Sequence, residues 1–328
     1  MWIKWIKGNN TILIVLGLLM IWPLFSRHTP LSVSLLSEIL IFGLFGIAYN
    51  IALGYTGVLS FGHAAYFGLG AYTTALCHNA GVPLELCIAF GILLGAAAGM
   101  VIGYLAFRGT GAYFAITTLA MSMVFYYVAA LWISLTNGHE GITGLPKMEL
   151  SLGIKLYSFE QKFYFILAIV GFCIYALWRL INSPFGKVLQ AVRENDHRAL
   201  TCGYNVFWVK WCSFVFSSGF SAMAGCLFVV LFEICDTSIL YWHMSGLVLV
   251  ITLFGGTGQF LGPLIGAFVF LMMKDKLSLY IEHWEFFTGA FFVAIVLILP
   301  KGILGSVVGA LYRKRAAIIE SHMAKESS

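Results

Sequence analysis

The chain contains 328 residues, of which 60% are hydrophobic and only 10% are charged, and its formal net charge is +5. A soluble domain has about 25% charged residues, so this composition excludes an ordinary soluble protein and predicts an all-α, polytopic integral membrane protein. The modest positive charge indicates orientation in a membrane rather than affinity for nucleic acid, for which no binding module is visible.

Hydrophobic runs follow one another along the whole chain. They lie near residues 12–25, 35–53, 57–77, 84–107, 111–135, 163–181, 207–231, 246–256, 261–273 and 286–300. The eighth and ninth runs are too short to span a bilayer core of about 30 Å, so each is predicted to be a half-helix, a tilted helix or one arm of a re-entrant hairpin. We therefore expect about eight to ten transmembrane helices, some broken or re-entrant, in a single domain covering residues 1–328.

The basic residues predict the orientation of the chain. Lys4 and Lys7 precede the first run, which lacks a small-x-small cleavage site and is interpreted as a retained membrane helix with a cytoplasmic N-terminus; a cleaved signal peptide is the alternative. Ten crossings then place 13 Lys and Arg residues in the cytoplasm and 6 outside, in agreement with the positive-inside rule. The polar segment 183–205 and the basic C-terminal tail, residues 301–328, are both expected in the cytoplasm.

Glycines recur at a spacing of four residues in the fourth run. This spacing places them on one face of a helix, where the absence of side chains predicts close packing against another helix. The glycines are Gly91, Gly95, Gly99 and Gly103.

Two short breaks share the pattern Gly-x-Thr-Gly. One is Gly54–Gly57, after the second run, and the other is Gly255–Gly258, after the eighth. Both are expected toward the cytoplasmic side, and transporter folds often place broken helices at corresponding positions of internal repeats. In a chain with 35 glycines, a match of four residues can also arise by chance.

The segment 183–205 is a charged, amphipathic stretch between two apolar runs. Ser183 before Pro184 predicts an N-cap followed by proline at the first helical position. Asp196 is predicted to cap a second short helix that ends near Gly203. The apolar residues of the first helix fall on one face, which would lie flat on a surface or enter a groove of a partner. They are Phe185, Val188, Leu189 and Val192. The alternative is an interfacial helix that only connects two membrane segments.

Four stretches together resemble the permeases of branched-chain amino acid ABC transporters, and the resemblance covers most of the chain. Its order and spacing agree with the family, and the chain is more similar to the LivM type than to its LivH-type partner. The stretches are GYTGVLSFGHAAYFGLGAY at 54–72, RGTGAYFAITTLA at 108–120, SPFGKVLQAVREND with the following GYN at 183–205, and GGTGQFLGPLIGA at 255–267.

The resemblance implies a half-channel of an ATP-driven importer in a bacterial inner membrane, which works by alternating access. It implies a second, LivH-type permease, two ABC ATPase subunits that bind the ATP, and an external solute-binding protein. Segment 183–205 would enter a cleft of the ATPase through Ser183, Pro184, Phe185, Gly186, Arg193, Glu194, Asp196, Arg198 and Gly203. The translocation pathway or its helix breaks would comprise Gly54, Tyr55, Gly57, Ser60, Phe61, Gly62, His63, Gly255, Gly256, Gly258, Gly262 and Pro263.

The chain departs from the family pattern at two places. Leu247 follows Ser245 and Gly246 where an acidic residue is common, and residues 200–202 replace a stretch that often contains Glu and Ala. The departures leave the family assignment standing but weaken the transfer of a particular substrate. The resemblance implies branched-chain amino acids as the first candidate substrates and urea or short amides as the second.

Other classes of protein find less support in the residues. His63 lies in an apolar motif without a second ligand at metal-binding spacing, so it is predicted to pack or hydrogen-bond rather than to catalyse. The chain has neither a phosphate-binding loop nor a nucleophile motif, so no enzymatic activity, cofactor or metal is expected in it. An ion-coupled secondary transporter or a passive channel remains an alternative, but it would leave segment 183–205 unexplained.

Overall fold

The computed structural model describes residues 32–109, 111–151, 155–280, 283–298 and 302–306. These residues form helices joined by loops, and their only bridging pairs of extended backbone are the isolated ones Ile142 with Cys235 and Glu149 with Lys155. The prediction of an all-α polytopic membrane protein is confirmed. The first hydrophobic run, at 12–25, and the basic tail beyond residue 306 lie outside the described residues.

Each of the other nine hydrophobic runs overlaps a helix, although residues 57–62 of the third run are not helical. The helices that organise the fold are α1 Val33–Asn50, α2 His63–Asn79, α3 Leu84–Ala106, α4 Ala112–Leu131, α5 Phe159–Ile181, α6 Pro184–Glu194, α7 Asp196–Thr201, α8 Val206–Phe232, α9 Trp242–Gly255, α10 Gly262–Tyr280 and α11 Trp284–Ile298. A π-helical turn, Ile51–Tyr55, extends α1, and shorter helical turns lie at Ile133–Thr136, Gly138–Glu140 and Thr237–Leu240.

Five of these segments are long and apolar enough to cross a membrane. They are Val33–Tyr55, Leu84–Ala106, Ala112–Leu131, Phe159–Ile181 and Val206–Phe232. Helix α9 has 14 residues, as short as the sequence predicts. Helix α10 continues beyond the ninth run, through Lys274, Asp275 and Lys276, to a length of 19 residues, but it is not among the five segments apolar enough to cross a membrane, so the half-helix, tilted helix or re-entrant arm stays a prediction. Charged residues lower the hydropathy there without breaking the helix, and Lys274 Nζ lies 3.5 Å from Glu38 Oε1 on α1.

Helix α1 lies at the centre of the bundle, in contact with α5, α8, α9 and α10. It is apolar on all sides, and such a helix is stable when neighbours cover every face. Glycines permit the close approach of α10, since a Cβ at Gly46 would lie 2.8 Å from Pro263 Cβ and one at Gly43 would collide with Leu264.

The predicted glycine face of α3 packs against α8. A Cβ added at any of the four glycines would approach an α8 side chain to 2.9 Å or less, so only glycine permits this helix separation. From each glycine of α3 to the next, the residue contacted on α8 lies four positions earlier in the sequence. The two helices are therefore antiparallel. The pairs are Gly91 with Cys226, Gly95 with Ala222, Gly99 with Ser218 and Gly103 with Phe214.

The bundle has two different ends. The glycine end, as we call it, contains both Gly-x-Thr-Gly breaks together with α6 and α7. The loop end contains residues 137–151 and 233–241, joined where Ile142 pairs with Cys235. Because α1 runs from the loop end to the glycine end, the Glu38–Lys274 pair lies far from the breaks.

Candidate functional site

Helix α6 begins as the sequence predicts. The hydroxyl of Ser183 accepts a hydrogen bond from the Gly186 amide at 3.4 Å, and Pro184 occupies the first turn. Leu189 and Val192 are buried, so the apolar face of α6 packs on the chain's own core instead of facing a partner. A Cβ at Gly186 would collide with the backbone of Ile181, which makes this glycine the point where α6 meets the end of α5.

Helix α7 differs from the prediction in its cap. Asn195, not Asp196, is the N-cap, because its side-chain oxygen accepts a hydrogen bond from the Arg198 amide at 2.9 Å. Asp196 occupies the first turn and forms an ion pair with Lys210 of α8, Nζ to Oδ2 2.5 Å. The helix ends before Gly203, whose φ of +87° favours glycine.

The exposed part of segment 183–205 is therefore its polar face and the tip formed by α7. Exposed polar residues of α6 are Lys187, Gln190, Arg193 and Glu194. At the tip, Leu200 is 61% exposed and Tyr204 is 47% exposed, which gives this polar surface a small apolar centre. A partner at the glycine end would meet these groups rather than the apolar face of α6.

The first break folds back along the end of α1. Within the break, the Val58 amide donates to the Ala52 carbonyl at 2.8 Å, and Tyr49 donates from its hydroxyl to the Ser60 carbonyl at 2.9 Å. The Phe61 amide donates to Thr118 Oγ1, and the amide of Ala64, at the start of α2, donates to Ser245 Oγ at 2.8 Å. Irregular backbone at membrane depth requires such partners within the protein.

His63 is enclosed at the start of α2. Its Nε2 lies 2.8 Å from Ser217 Oγ, and Ser217 in turn donates to the Ala48 carbonyl, so that His63 is the donor to the serine oxygen. The rings of Tyr49, Tyr66 and Phe214 surround the imidazole edge-on, with centroids 4.6, 5.5 and 5.5 Å away. Within the described residues, no three His, Cys, Asp or Glu side chains are grouped to hold a metal ion.

The second break, between α9 and α10, is a tight turn between helices in contact. A Cβ at Gly255 would collide with the Gly262 carbonyl, and one at Gly266 would lie 2.9 Å from the Gly255 amide nitrogen. Gly256 and Gly258 have φ values of +110° and +80°, which favour glycine. Pro263 lies in the first turn of α10, where its missing N–H costs nothing.

The two breaks meet at the glycine end, and Asn50 joins them. Its Nδ2 donates to the Gln259 carbonyl at 2.9 Å, and its Oδ1 accepts from the Gly258 amide at 3.1 Å. Arg193, from the last turn of α6, donates from Nη1 to the Gly54 carbonyl and lies against Gly258. The structure thus brings Gly54, Gly258 and Arg193 together, which spacing in the sequence could not show.

The other residues predicted for the pathway differ in how far they are exposed. Tyr55, Ser60, Gly62 and His63 are buried, whereas Gly57 is exposed and Phe61 is half-buried. Leu59, which the sequence analysis did not single out, is 37% exposed. Exposed or half-buried residues 57, 59 and 61 alternate with buried residues 58, 60 and 62. An alternating pattern in a Gly-rich break was the available signal.

An all-α bundle with several membrane-length helices defines a polytopic membrane protein, and broken segments of this kind are common in transporters. The particular family follows from sequence comparison. A model of the family described as "Branched-chain amino acid transport system / permease component" matches residues 31–299, and the chain belongs to this family. The family is one of transport permeases.

Individual relatives agree with the family assignment. The chain is 25% identical to the high-affinity branched-chain amino acid transport system permease protein LivM of Escherichia coli strain K12, over 91% of this chain and 75% of that protein. It is also 25% identical to a probable branched-chain amino acid transport permease protein LivM of Methanocaldococcus jannaschii, over 76% of this chain and 83% of that protein. No solved structure matches the chain significantly.

Proposed function

We propose that the chain is the LivM-type permease subunit of an ABC importer that moves leucine, isoleucine and valine across a bacterial inner membrane. The observation that carries the proposal is the contact of Arg193, on the segment that would meet an ATPase, with both glycine breaks. A movement imposed on α6 from outside the bundle would reach both breaks through this contact. The cargo class comes from the names of the relatives.

The ATPase would dock on the polar face of α6 and on the α7 tip. Glu194 and Arg198 present charge there, while Ser183, Pro184 and Gly186 fix the angle at which α6 leaves α5. ATP would bind to two partner ATPases and not to this chain, so the chain carries no catalytic residue of its own. Alternating access would follow from rigid-body movement of the helices when the ATPases close.

The pathway would run beside the two breaks, between this chain and a second, LivH-type permease. Phe61 and Leu59 present apolar side chains suited to a branched aliphatic solute, and the buried Ser60 and His63 hold the break in place. An external solute-binding protein would deliver the solute at the loop end. Residues 1–328 would form one permease domain with the glycine end and both termini in the cytoplasm.

The test is uptake of labelled leucine into vesicles that contain this chain, its permease and ATPase partners and the binding protein. We expect saturable, ATP-dependent uptake that isoleucine and valine inhibit and urea does not. Saturable, ATP-dependent urea uptake without leucine uptake would support the ABC importer class but show that its substrate is urea rather than branched-chain amino acids. Leucine uptake by this chain alone, without ATP, would contradict the importer assignment and favour a secondary transporter or channel.

A further inference from the structure

Asn50 occupies an unusual position for a polar side chain. It is 1% exposed, in the last turn of the central helix α1, and both polar atoms of its amide are satisfied by backbone of the second break. Its partners, Gly258 and Gln259, are more than 200 residues away in the chain. A buried amide that uses its donor and its acceptor on one turn fixes the position of that turn, because movement would leave both groups unpaired.

Arg193 adds a contact with the first break and lies against the second. Its Nη1 donates to the Gly54 carbonyl, while a Cβ at Gly258 would lie 2.7 Å from the same nitrogen. A Cβ at Gly57 would lie 3.5 Å from Arg193 Cγ, so the side chain runs along the first break before its guanidinium reaches the second. The two breaks also touch directly, since a Cβ at Gly54 would lie 2.6 Å from the Gly258 amide nitrogen.

The Asn50 and Arg193 contacts differ in whether a movement of α6 can break them. The Asn50 bonds connect two segments inside the bundle, whereas Arg193 belongs to α6, whose polar face is exposed. A hydrogen bond is lost when donor and acceptor separate beyond about 3.5 Å, so a shift of α6 by a few ångströms releases the Gly54 carbonyl. The contact between the breaks then depends on the Asn50 hydrogen bonds and on the direct packing of Gly54 against Gly258.

We propose that Asn50 and Arg193 are positioning residues that form a latch between the two glycine breaks, and that movement of α6 opens it. The latch rests on the proposed transport function and adds to it the residues that transmit movement from the ATPase side to the pathway. With the latch closed, the breaks stay in contact and the glycine end is shut. When α6 withdraws Arg193, only the Asn50 bonds and the direct contact of Gly54 with Gly258 remain, so the breaks separate more readily.

The test compares Arg193→Ala, Arg193→Lys and Asn50→Ala in the complete complex with its permease, ATPase and binding-protein partners. Two quantities are measured, leucine moved per ATP hydrolysed and hydrogen exchange of the peptides that contain residues 50–62 and 255–262. We expect Arg193→Ala to lower the transport-to-hydrolysis ratio about tenfold, with Arg193→Lys intermediate because lysine retains one donor. Exchange at Gly258 should rise in Asn50→Ala, which removes its acceptor, and in Arg193→Ala.

Arg179→Ala is the matched control, since Arg179 lies in the last turn of α5 and no hydrogen bond among the described residues joins it to either break. Its ratio and exchange should equal those of the wild type. Unchanged exchange at both breaks in Arg193→Ala and Asn50→Ala would overturn the latch. If the alanine variants do not assemble, Arg193→Lys decides by the same two readouts. A wild-type complex without ATP-dependent uptake would refute the proposed transport function. Hydrogen exchange at the two breaks would still test the latch in that case.

Discussion

At the scale of single residues, Lys162, in the first turns of α5, is a charged group buried at the loop end. It is 6% exposed, and its Nζ lies 2.7 Å from Glu233 Oε1 and 3.2 Å from the Leu231 carbonyl. Leu231 and Glu233 are at the end of α8, where carbonyls lack partners within the helix. The ammonium therefore neutralises a carboxylate and caps a helix C-terminus at once.

We expect Lys162→Ala to destabilise the protein by about 1–2 kcal/mol, between the values for exposed and fully buried pairs, because the Glu233 side chain is still 35% exposed and keeps part of its hydration. The measurement is the midpoint of thermal unfolding in detergent. Lys155→Ala is the control, since among the described residues the Lys155 ammonium makes only a ring contact with Tyr157, at 5.7 Å. Equal midpoints for the two variants would show that the buried pair contributes nothing.

At the scale of helices, small residues set the distances between α2, α3 and α8. A Cβ at Gly70 of α2 would lie 2.7 Å from the Ala222 carbonyl carbon and 2.8 Å from its Cα, and one at Gly225 of α8 would lie 2.7 Å from the Phe67 carbonyl carbon. These neighbours are backbone atoms, which cannot move without moving a helix. Close packing of this kind holds helices together in a membrane, because lipid is as apolar as the side chains and removes the hydrophobic driving force between helices.

Gly70→Ala should therefore destabilise the bundle by about 1–3 kcal/mol, the usual cost of overpacking. Gly246→Ala provides a matched comparison in α9, because a Cβ there meets nothing within 4 Å and alanine favours a helix by about 1 kcal/mol. Unfolding in detergent, followed by loss of helical circular dichroism, measures both. A Gly70 variant as stable as the Gly246 variant would mean that α2 and α8 separate easily.

At the scale of the whole molecule, the two ends present different cysteines. Cys202 is exposed at the end of α7, at the glycine end. Cys235 is buried at the loop end, and burial, with Asp236 beside it, raises the pKa of its thiol well above the usual range. A raised thiol pKa keeps Cys235 protonated at neutral pH, so it should remain unreactive while Cys202 reacts.

A membrane-impermeant maleimide tests the orientation proposed for the chain. The maleimide should label Cys202 in inverted vesicles but not in intact cells. The additional labelling of inverted vesicles should disappear in the Cys202→Ser variant. Addition of the ATPase subunits should protect Cys202, because the α7 tip is the proposed docking surface. Labelling of Cys202 in intact cells would place the glycine end outside and contradict the orientation.

Local and periodic features were predictable from the sequence. Composition determined the all-α membrane class, and the Ser183–Pro184 pair determined where α6 begins. The four-residue spacing in α3 determined a close-packed face, although not which helix covers it. The hydropathy of the ninth run did not reveal that α10 continues through charged residues as far as Tyr280. The number of crossings and the partner-contacting residues of segment 183–205 remain predictions.

Contacts between distant segments were decided by the tertiary structure alone. The sequence marked the two Gly-x-Thr-Gly breaks but not that they touch, and it did not reveal that Asn50 and Arg193 hold them. It also left open what covers the apolar face of α6, which the chain buries in its own core. Composition, caps and spacing act within a few turns of one helix, so the sequence determines them directly. Which helices meet depends on how the whole bundle packs, and only the folded chain specifies it.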